Sequence, residues 1–289
     1  MCTCAGTVGT TRTKPEDISQ WPKISIVTPS YNQGRFLEKA ILSVINQQYP
    51  KLEYMVLDGG STDNSVDIIK RYSNQLSHWE SSLDKGQAAA IAKGFASSSG
   101  TILGWLNSDD MLMPNALINA AKAFMASSEI CAVTGRCVII DTDGKPFSVS
   151  IPIMRSWRSM LYLGTGFYQM ATFWKKSAYE AVGQLNTEMY FSFDADLFLR
   201  LRKYGRIEAI NSYLAAYRSH KKSKTTTNQR IMRSENRMIQ RRYSNVNDIT
   251  VILSHVAKRV RPVRRIRNRF FWYRDKRKLI ELCRIAQTW

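Results

Sequence analysis

The sequence predicts an α/β fold, with a mostly parallel sheet flanked by helices and a basic helical tail at the C-terminus. Short apolar runs alternate with amphipathic segments along the first half of the chain, as in parallel sheets covered by helices. Polar side chains follow three predicted strands where each strand ends, and ligands bind at that edge of such sheets. The chain has 289 residues, enough for one large domain and an appendage.

The first strand and helix are bounded by prolines. Residues 24–28 are a short run of mainly apolar residues, which predicts a buried strand, and we expect Pro29 to end it. Residues 34–48 carry apolar side chains at spacings of three and four, which predicts an amphipathic helix that stops before Pro50.

The pattern then repeats. We expect strands over 54–57, 78–81 and 101–106, and helices from 61 to about 72 and over 86–97. An extended run over 131–140 leads to Asp143 and Gly144, a hairpin signal. Beyond residue 151 we expect a strand over 166–174, helices over 177–182 and 193–204, and one or two strands within 207–217.

The net charge of +19 is concentrated at the C-terminus. Residues 221–289 hold 20 Lys and Arg against 4 Asp and Glu, whereas residues 1–220 hold 22 against 19. The first part is therefore typical of an ordinary enzyme domain, and the tail is predicted to meet an anionic partner.

The sequence favours a reduced, cytoplasmic compartment. No apolar run approaches the roughly 18 residues that a membrane span needs. Residues 1–20 lack the apolar core of a signal peptide. The five cysteines are odd in number and form no disulfide framework.

Several enzyme classes are disfavoured because their motifs are absent from the sequence. There is no G-x-G-x-x-G after the first strand, no P-loop, no G-x-S-x-G and no H-E-x-x-H. A nicotinamide site, a P-loop nucleotide site and a zincin site are thereby excluded as first hypotheses.

Asp109 and Asp110 are adjacent carboxylates after the predicted strand over 101–106. Adjacent side chains diverge, so one can ligate a divalent ion while the other accepts from a hydroxyl group. Mg²⁺ and Mn²⁺ prefer oxygen ligands, commonly one or two carboxylates with substrate phosphates. The alternative is that the pair caps the next helix.

Six motifs occur in an order and at spacings similar to those of family 2 glycosyltransferases, over residues 23–225. They are the stretches 29–32 (PSYN), 57–63 (LDGGSTD), 84–87 (DKGQ), 106–110 (LNSDD), 193–200 (FDADLFLR) and 217–220 (YRSH). The chain departs from the family pattern in the helix over 86–97, where Ala88, Ala89 and Ala90 replace polar residues and Ala92 replaces Asn.

The resemblance implies the A-type glycosyltransferase fold, with a Rossmann-like sheet, and inverting transfer from a nucleoside-diphosphate sugar, most often a UDP-sugar. Carried over by position, it places seven residues at the nucleotide sugar: Pro29, Tyr31, Asp58, Asp84, Lys85, Asn107 and Asp109. Asp110 would bind Mn²⁺ or Mg²⁺, with His220 as a further ligand or a diphosphate donor.

The resemblance also implies that Asp194 is the general base, because it stands at the acidic position before the family's D-L-x-L-R helix. Asp196 is the weaker alternative, since side chains two residues apart point in different directions on a helix, and Asp196 can instead pair with Arg200. Gln169, Trp174 and Asp196 are the candidate acceptor contacts.

We therefore expect a flexible segment over 1–22, a catalytic domain over 23–225 and a basic amphipathic tail over 226–289. Apolar residues recur in the tail from Val256 to Tyr273, interleaved with arginines. We expect this face to bind the anionic inner surface of the membrane, where lipid-linked acceptors reside. The expected partners are a nucleoside-diphosphate sugar and a glycan or lipid-linked acceptor, with no specific nucleic acid.

The alternatives are a nucleic-acid-binding protein that uses the tail, an inactive scaffold, and a sugar-nucleotide pyrophosphorylase. The last needs a Gly-rich loop after the first strand, which residues 29–34 do not provide.

Overall fold

The computed structural model describes residues 18–220, 223–244 and 261–288. The strands among them are β1 (Ile24–Ser30), β2 (Leu52–Asp58), β3 (His78–Ser81), β4 (Ile102–Trp105), β5 (Met111–Leu112), β6 (Ile130–Ile140), β7 (Pro146–Ser150), β8 (Thr172–Lys175) and β9 (Arg206–Arg218). The helices are α1 (Gly34–Ile45), α2 (Ser65–Tyr72), α3 (Gln87–Ser97), α4 (Ala116–Ala126), α5 (Trp157–Leu163), α6 (Lys176–Ala181), α7 (Phe193–Tyr204), α8 (Lys224–Thr227), α9 (Gln229–Tyr243) and α10 (Arg261–Thr288).

The strands form one sheet in the order β3-β2-β1-β4-β8-β6-β9-β5, with β7 paired to β6. The first four strands in this order are parallel, as the alternating pattern predicts. The other half is mixed, because β8 runs antiparallel to both β4 and β6 while β6 and β9 are parallel. The carboxyl ends of β1, β2 and β3 therefore share one edge, where Ser30 pairs with Asp58 and Asp58 with Ser81.

The core has a layer on each face of the sheet. Ile24 and Ile26 of β1 pack with α1, α2 and α4, whereas Val27 faces the opposite way toward α3 and α7. Every residue of β1 is buried, as expected for a central parallel strand that is covered on both sides.

The last two described helices pack against this core. Ile239 of α9 lies in the layer of α3 and α7. Leu279 and Cys283 of α10 join a third apolar cluster over β5, β6, β7 and β9. Tyr213 and Arg136 contact Asp275 of α10, at 2.8 Å and 3.5 Å.

Two expected strand bounds are wrong. Pro29 does not end β1, which continues to Ser30. β4 pairs with β1 only as far as Val27, so the ring at Pro29 removes no ladder hydrogen bond on that side. The strand predicted over 166–174 is reduced to β8, because Gly166 has a φ of +87° and a 3₁₀ turn follows at Gln169–Ala171.

Among the described residues, no helix combines the length and the apolar character needed to cross a bilayer.

Candidate active site

Asp58 ends β2, and its buried carboxylate accepts four hydrogen bonds from the protein. Oδ2 accepts from the backbone N–H groups of Gly60 and Ser61, at 3.1 Å and 2.8 Å, and from the Ser81 hydroxyl at 2.7 Å. Oδ1 accepts from the Ser61 hydroxyl at 2.5 Å. The carboxylate is thus fixed in place, and Oδ1 keeps capacity for a second donor.

A cavity of about 190 Å³ lies between the ends of β2 and β3 and the start of α3. Asp58, Asp84 and Lys85 all line it, so the structure brings these three predicted nucleotide residues together. A Cβ at Gly59 would come within 3.0 Å of Asp84 Oδ2, so the glycine allows the two loops to approach. Tyr31, in the loop after β1, is 61% exposed.

The turn after β4 carries Asn107, Asp109 and Asp110. The Asp110 N–H donates to the Asn107 carbonyl at 3.0 Å, and the Asn107 amide donates to Asp110 Oδ2 at 3.2 Å. Asp110 Oδ1 accepts from the backbone N–H of Arg218 at 2.9 Å. Burial and the negative charge of Asp109 hold the pKa of Asp110 well above its usual range.

His220 contacts Asp109. Its Nε2 lies 3.0 Å from Asp109 Oδ2, and its ring packs against Phe36 at 5.2 Å. Of the two predicted metal ligands, His220 therefore contacts Asp109, and Asp110 is the next residue of the chain. The described part of the chain holds no preassembled group of three or more His, Cys, Asp or Glu side chains that could hold a metal ion.

Arg218 is a buried cation that braces this turn, and sequence reasoning assigned it no role. Its Nε donates to the Asp109 carbonyl at 2.9 Å, and one terminal nitrogen donates to the carbonyls of Asp141 and Thr142 at 3.1 Å each. The guanidinium also lies 4.9 Å from the ring centroid of Phe36. The only sequence signal was its place inside the 217–220 motif.

Asp194 lies in the first turn of α7 and is half-buried. Its Oδ1 accepts from the Ala195 N–H at 2.7 Å. Burial raises the pKa of Asp194 to about 6, the positive charge of Lys224 opposes the rise, and the negative charge of Glu235 adds to it. A carboxyl group with this pKa is ionised at neutral pH yet basic enough to take a proton.

Glu235 of α9 holds the loop that leads into α7. Its carboxylate accepts from three consecutive backbone N–H groups, those of Tyr190 (2.7 Å), Phe191 (2.9 Å) and Ser192 (2.7 Å). The sequence placed Glu235 in the predicted basic tail. Its one distinguishing feature there is its charge, since residues 221–289 contain only four acidic residues. We propose that the catalytic domain extends past residue 225 to include α9.

Four side chains connect the two sides of the site. The ammonium of Lys224 donates to Gln87 Oε1 at 3.0 Å and to the Tyr190 carbonyl. Gln87 Nε2 donates to Asn107 Oδ1 at 2.8 Å, and Asn107 in turn contacts Asp110. Gln87 stands in the 84–87 motif, whereas Lys224 had no sequence signal. These contacts bring the separate acidic loops to one edge of the sheet.

The three candidate acceptor contacts are buried in the structure, so we do not carry their acceptor roles forward. Trp174 has no exposed surface and packs between the sheet and α7, and Gln169 donates to the Trp105 carbonyl at 2.7 Å. Asp196 is 1% exposed and pairs with Arg200 at 2.7 Å, the alternative that its spacing allowed. Buried apolar packing and internal hydrogen bonds account for all three.

Comparisons with known proteins identify the family of the chain. Residues 25–182, more than half of the chain, match the sequence profile described as Glycosyl transferase family 2. The chain is 25% identical over 196 residues to a hyaluronan synthase from Pasteurella multocida, covering 67% of this chain and 20% of that protein. Across the first three curated relatives, the matched part spans only 20% to 50% of their own length.

Two solved structures share the fold. A mannosyltransferase from Pyrobaculum calidifontis, in complex with GDP-Man and Mn²⁺, aligns with a TM-score of 0.57 at 15% identity and covers 94% of this chain and 89% of that one. S. aureus TarS in complex with UDP-GlcNAc aligns with a TM-score of 0.53 at 15% identity, covering 71% of this chain and 61% of that one.

Proposed function

The chain belongs to glycosyltransferase family 2, and from that premise we propose that it transfers a sugar from a nucleoside-diphosphate sugar to a hydroxyl group. The acceptor would be a glycan or a lipid-linked glycan in the synthesis of a cell-surface polysaccharide, and one relative of the chain is named as a hyaluronan synthase. One observation carries the proposal: Asp58 and Asp84 line one cavity, and side-chain contacts join the start of α3, the Asp109–Asp110 turn and the loop of Asp194 at the same edge of the sheet.

The donor is proposed to be a UDP-sugar. Asp58 lines the cavity at the ends of β2 and β3, and its Oδ1 has room for one more donor. Uracil presents an imide N–H to such an oxygen, whereas the cytosine ring has no such donor. The TarS structure holds UDP-GlcNAc and the Pyrobaculum structure holds GDP-Man, so nucleotide choice has to be measured.

Asp194 is proposed as the general base of a single displacement. It takes the proton of the acceptor hydroxyl as that oxygen forms a bond to the anomeric carbon. The bond from the anomeric carbon to the diphosphate oxygen breaks on the opposite side, and the configuration inverts. A pKa of about 6 suits this role, because the carboxylate is ionised at pH 7.

The chemistry of the Asp109–Asp110 turn suits a divalent cation. Burial of Asp110, and after it the negative charge of the adjacent Asp109, raise the pKa of Asp110, and a cation bound there would favour the ionised carboxylate. Asp110 and His220 are the proposed ligands, with substrate phosphates supplying further oxygens. Bound there, Mn²⁺ or Mg²⁺ would neutralise the charge that develops on the leaving diphosphate.

A thermal-shift panel of nucleoside diphosphates, with and without Mn²⁺, tests the donor and the metal together. We expect UDP to raise the melting temperature only when Mn²⁺ is present, and Asp110→Asn to abolish that shift. Asp67→Asn, at an exposed position of α2, is the matched control and keeps the shift. An equal UDP shift with and without metal would refute the metal assignment.

The outer face of α10 is the proposed membrane contact. Ile266, Phe270, Tyr273 and Ile280 recur at spacings of three, four and seven and are all exposed, while the opposite face packs on the sheet. Exposed Arg269, Lys276, Arg277, Lys278 and Arg284 accompany them. This combination suits an anionic lipid surface, and we propose that the protein works at the inner face of the membrane. Val256 and Val260 of the predicted stripe lie outside the described residues.

Vesicle flotation tests the membrane contact without uncovering the core. The triple substitution Ile266→Ser, Phe270→Ser and Tyr273→Ser changes only exposed positions of α10, and we expect several-fold weaker binding to vesicles rich in phosphatidylglycerol. Tyr204→Ser, an exposed tyrosine at the end of α7, should bind like the unmodified protein. Undiminished binding of the triple variant would reject this surface.

A further inference from the structure

Lys224 contacts three separate parts of the candidate active site. Its ammonium donates to Gln87 at the start of α3 and to the carbonyl of Tyr190 in the loop before α7. It also lies 4.0 Å from the ring centroid of Tyr190 and 5.6 Å from that of Phe193, the residue before Asp194. A lysine on exposed surface would have water in place of these partners, so this cation is held in position by the protein.

The charged groups that act on Asp194 come from two other helices. Lys224 of α8 contributes a positive charge, which favours the ionised carboxyl group. Glu235 of α9 contributes a negative charge, which disfavours it, as does burial. Burial also lowers the pKa of Lys224 to about 8, so the ammonium is still charged throughout the range in which Asp194 titrates.

We propose that Lys224 is a positioning residue: its ammonium ties the loop before Asp194 to the start of α3 and keeps the Asp194 carboxyl group ionised at neutral pH. Without this cation, only the backbone hydrogen bonds from Ala195 and from Asp194 itself oppose the effects of burial and of the Glu235 carboxylate on the Asp194 pKa. Lys224 need not touch either substrate for this, since its effect reaches the reaction through the protonation state of Asp194. The inference rests on the proposed function only in calling Asp194 the base.

Carbon-13 NMR of the aspartate carboxyl groups in the full-length protein tests the inference without any substrate. The Asp194 signal is identified by its loss in Asp194→Asn. We expect a midpoint near pH 6 in the unmodified protein, and a midpoint about one pH unit higher in Lys224→Met, because an opposite charge nearby lowers a carboxyl pKa by roughly one to three units.

Two further variants separate charge from shape. Lys224→Arg keeps the positive charge, and its midpoint should stay close to that of the unmodified protein even if its packing differs. Lys122→Met removes an exposed lysine from α4, in the other layer, and should leave the midpoint unchanged. An unchanged midpoint in Lys224→Met, or an equal rise in Lys224→Arg, overturns the inference.

The pH dependence of transfer then tests the proposed function separately. If Asp194 is the base, the acidic limb of kcat/KM moves upward in Lys224→Met by the same amount as the NMR midpoint. If the NMR midpoint of Asp194 moves but the acidic limb of kcat/KM does not, the charge of Lys224 acts on Asp194 as inferred, and Asp194 is not the general base. A structural defect alone would lower the rate by one factor at every pH.

Discussion

Asp58 and Asp194 are both carboxylates at the candidate active site, but the protein treats them in opposite ways. Asp58 accepts four hydrogen bonds from nearby loops. Asp194 accepts one from its own helix turn and sits among opposed charges from Lys224 and Glu235. Several hydrogen-bond donors hold a carboxylate in one orientation, whereas burial with few donors raises the pKa of a carboxyl group and leaves it ready to take a proton. The first is suited to hold a ligand and the second to react.

The two regions also differ in how they are assembled. The hydrogen-bond donors to the Asp58 carboxylate all lie within 23 residues of it along the chain. The loop before Asp194 is held from 43 to 45 residues away by Glu235, and Lys224 reaches Gln87 across 137 residues. The nucleotide side of the proposed site, which is Asp58 with the loops that donate to it, is therefore held by contacts that are mostly local in sequence. The base side, which is Asp194 with the loop before it, Lys224 and Glu235, depends on contacts between residues far apart in the chain.

Removing the reactive carboxyl group should have the largest effect. Asp194→Asn should lower kcat by about 10²- to 10⁴-fold, the usual contribution of a general base, while UDP binding is retained. The variant should also melt at a higher temperature at pH 7, because the folded-state pKa is raised and ionising Asp194 therefore costs folding free energy above pH 6.

Steady-state kinetics and thermal melts of Asp194→Asn check both parts. Asp67→Asn serves again as the control: it should leave kcat unchanged, and because Asp67 lies in the first turn of α2, any change in its melting temperature should be a decrease and not a rise. Transfer at the normal rate by Asp194→Asn would show that Asp194 is not the general base. The proposed difference in role between Asp194 and Asp58 would then be wrong.

Removing the support of the base side should have the next largest effect. Glu235→Ala leaves three backbone N–H groups without their acceptor, so we expect a loss of about 2–3 kcal/mol in the free energy of unfolding. A displaced Asp194 loop should lower kcat by roughly 100-fold, with little change in UDP affinity.

Denaturant unfolding and kinetics of Glu235→Ala measure these effects. Glu188→Ala changes an exposed glutamate in the segment that leads to the same loop and should be neutral. If Glu235→Ala weakens UDP binding as much as it slows transfer, the two sides of the site are not separate units.

Altering the fixed carboxylate should have the smallest effect on the reaction. Asp58→Asn keeps the shape but turns one acceptor oxygen into a donor that faces other donors, so UDP affinity should fall by about tenfold or less, the worth of one hydrogen bond. The acidic limb of kcat/KM should stay where it is, since Asp58 does not exchange the proton. Isothermal titration and pH profiles measure both, and a moved limb would contradict the division of roles.

The nucleotide side could be predicted from the sequence because its signals are local. Apolar periodicity located β1 to β4, and parallel strands necessarily bring the residues that follow them to one edge. Asp58, Asp84 and Asp110 could be named in this way from their positions after strands. The Asp196–Arg200 pair, four residues apart on α7, was also within reach of sequence reasoning.

The base side of the site could not be predicted from the sequence in the same way. The basic composition of residues 226–289 predicted a tail. In the structure, Ile239 of α9 packs in the layer of α3 and α7, and Glu235 of α9 accepts hydrogen bonds from the loop before α7. Trp174 has the chemistry of a sugar contact, and the structure buries it in the core, which the sequence did not indicate. Glu235, Ile239 and Trp174 do not differ in sequence pattern from residues of the same type on a protein surface.

The amino-acid sequence alone determined the order of the strands and helices from β1 to β4 and the carboxylates that follow those strands, because these follow from spacings of a few residues. Only the tertiary structure showed that Asp58 is held by several hydrogen-bond donors and that the pKa of Asp194 is raised by burial. It also placed Lys224 near Asp194 and left one face of α10 exposed. Burial and charge at a given atom depend on neighbours distant in the chain, and their positions exist only once the sheet and its layers have packed.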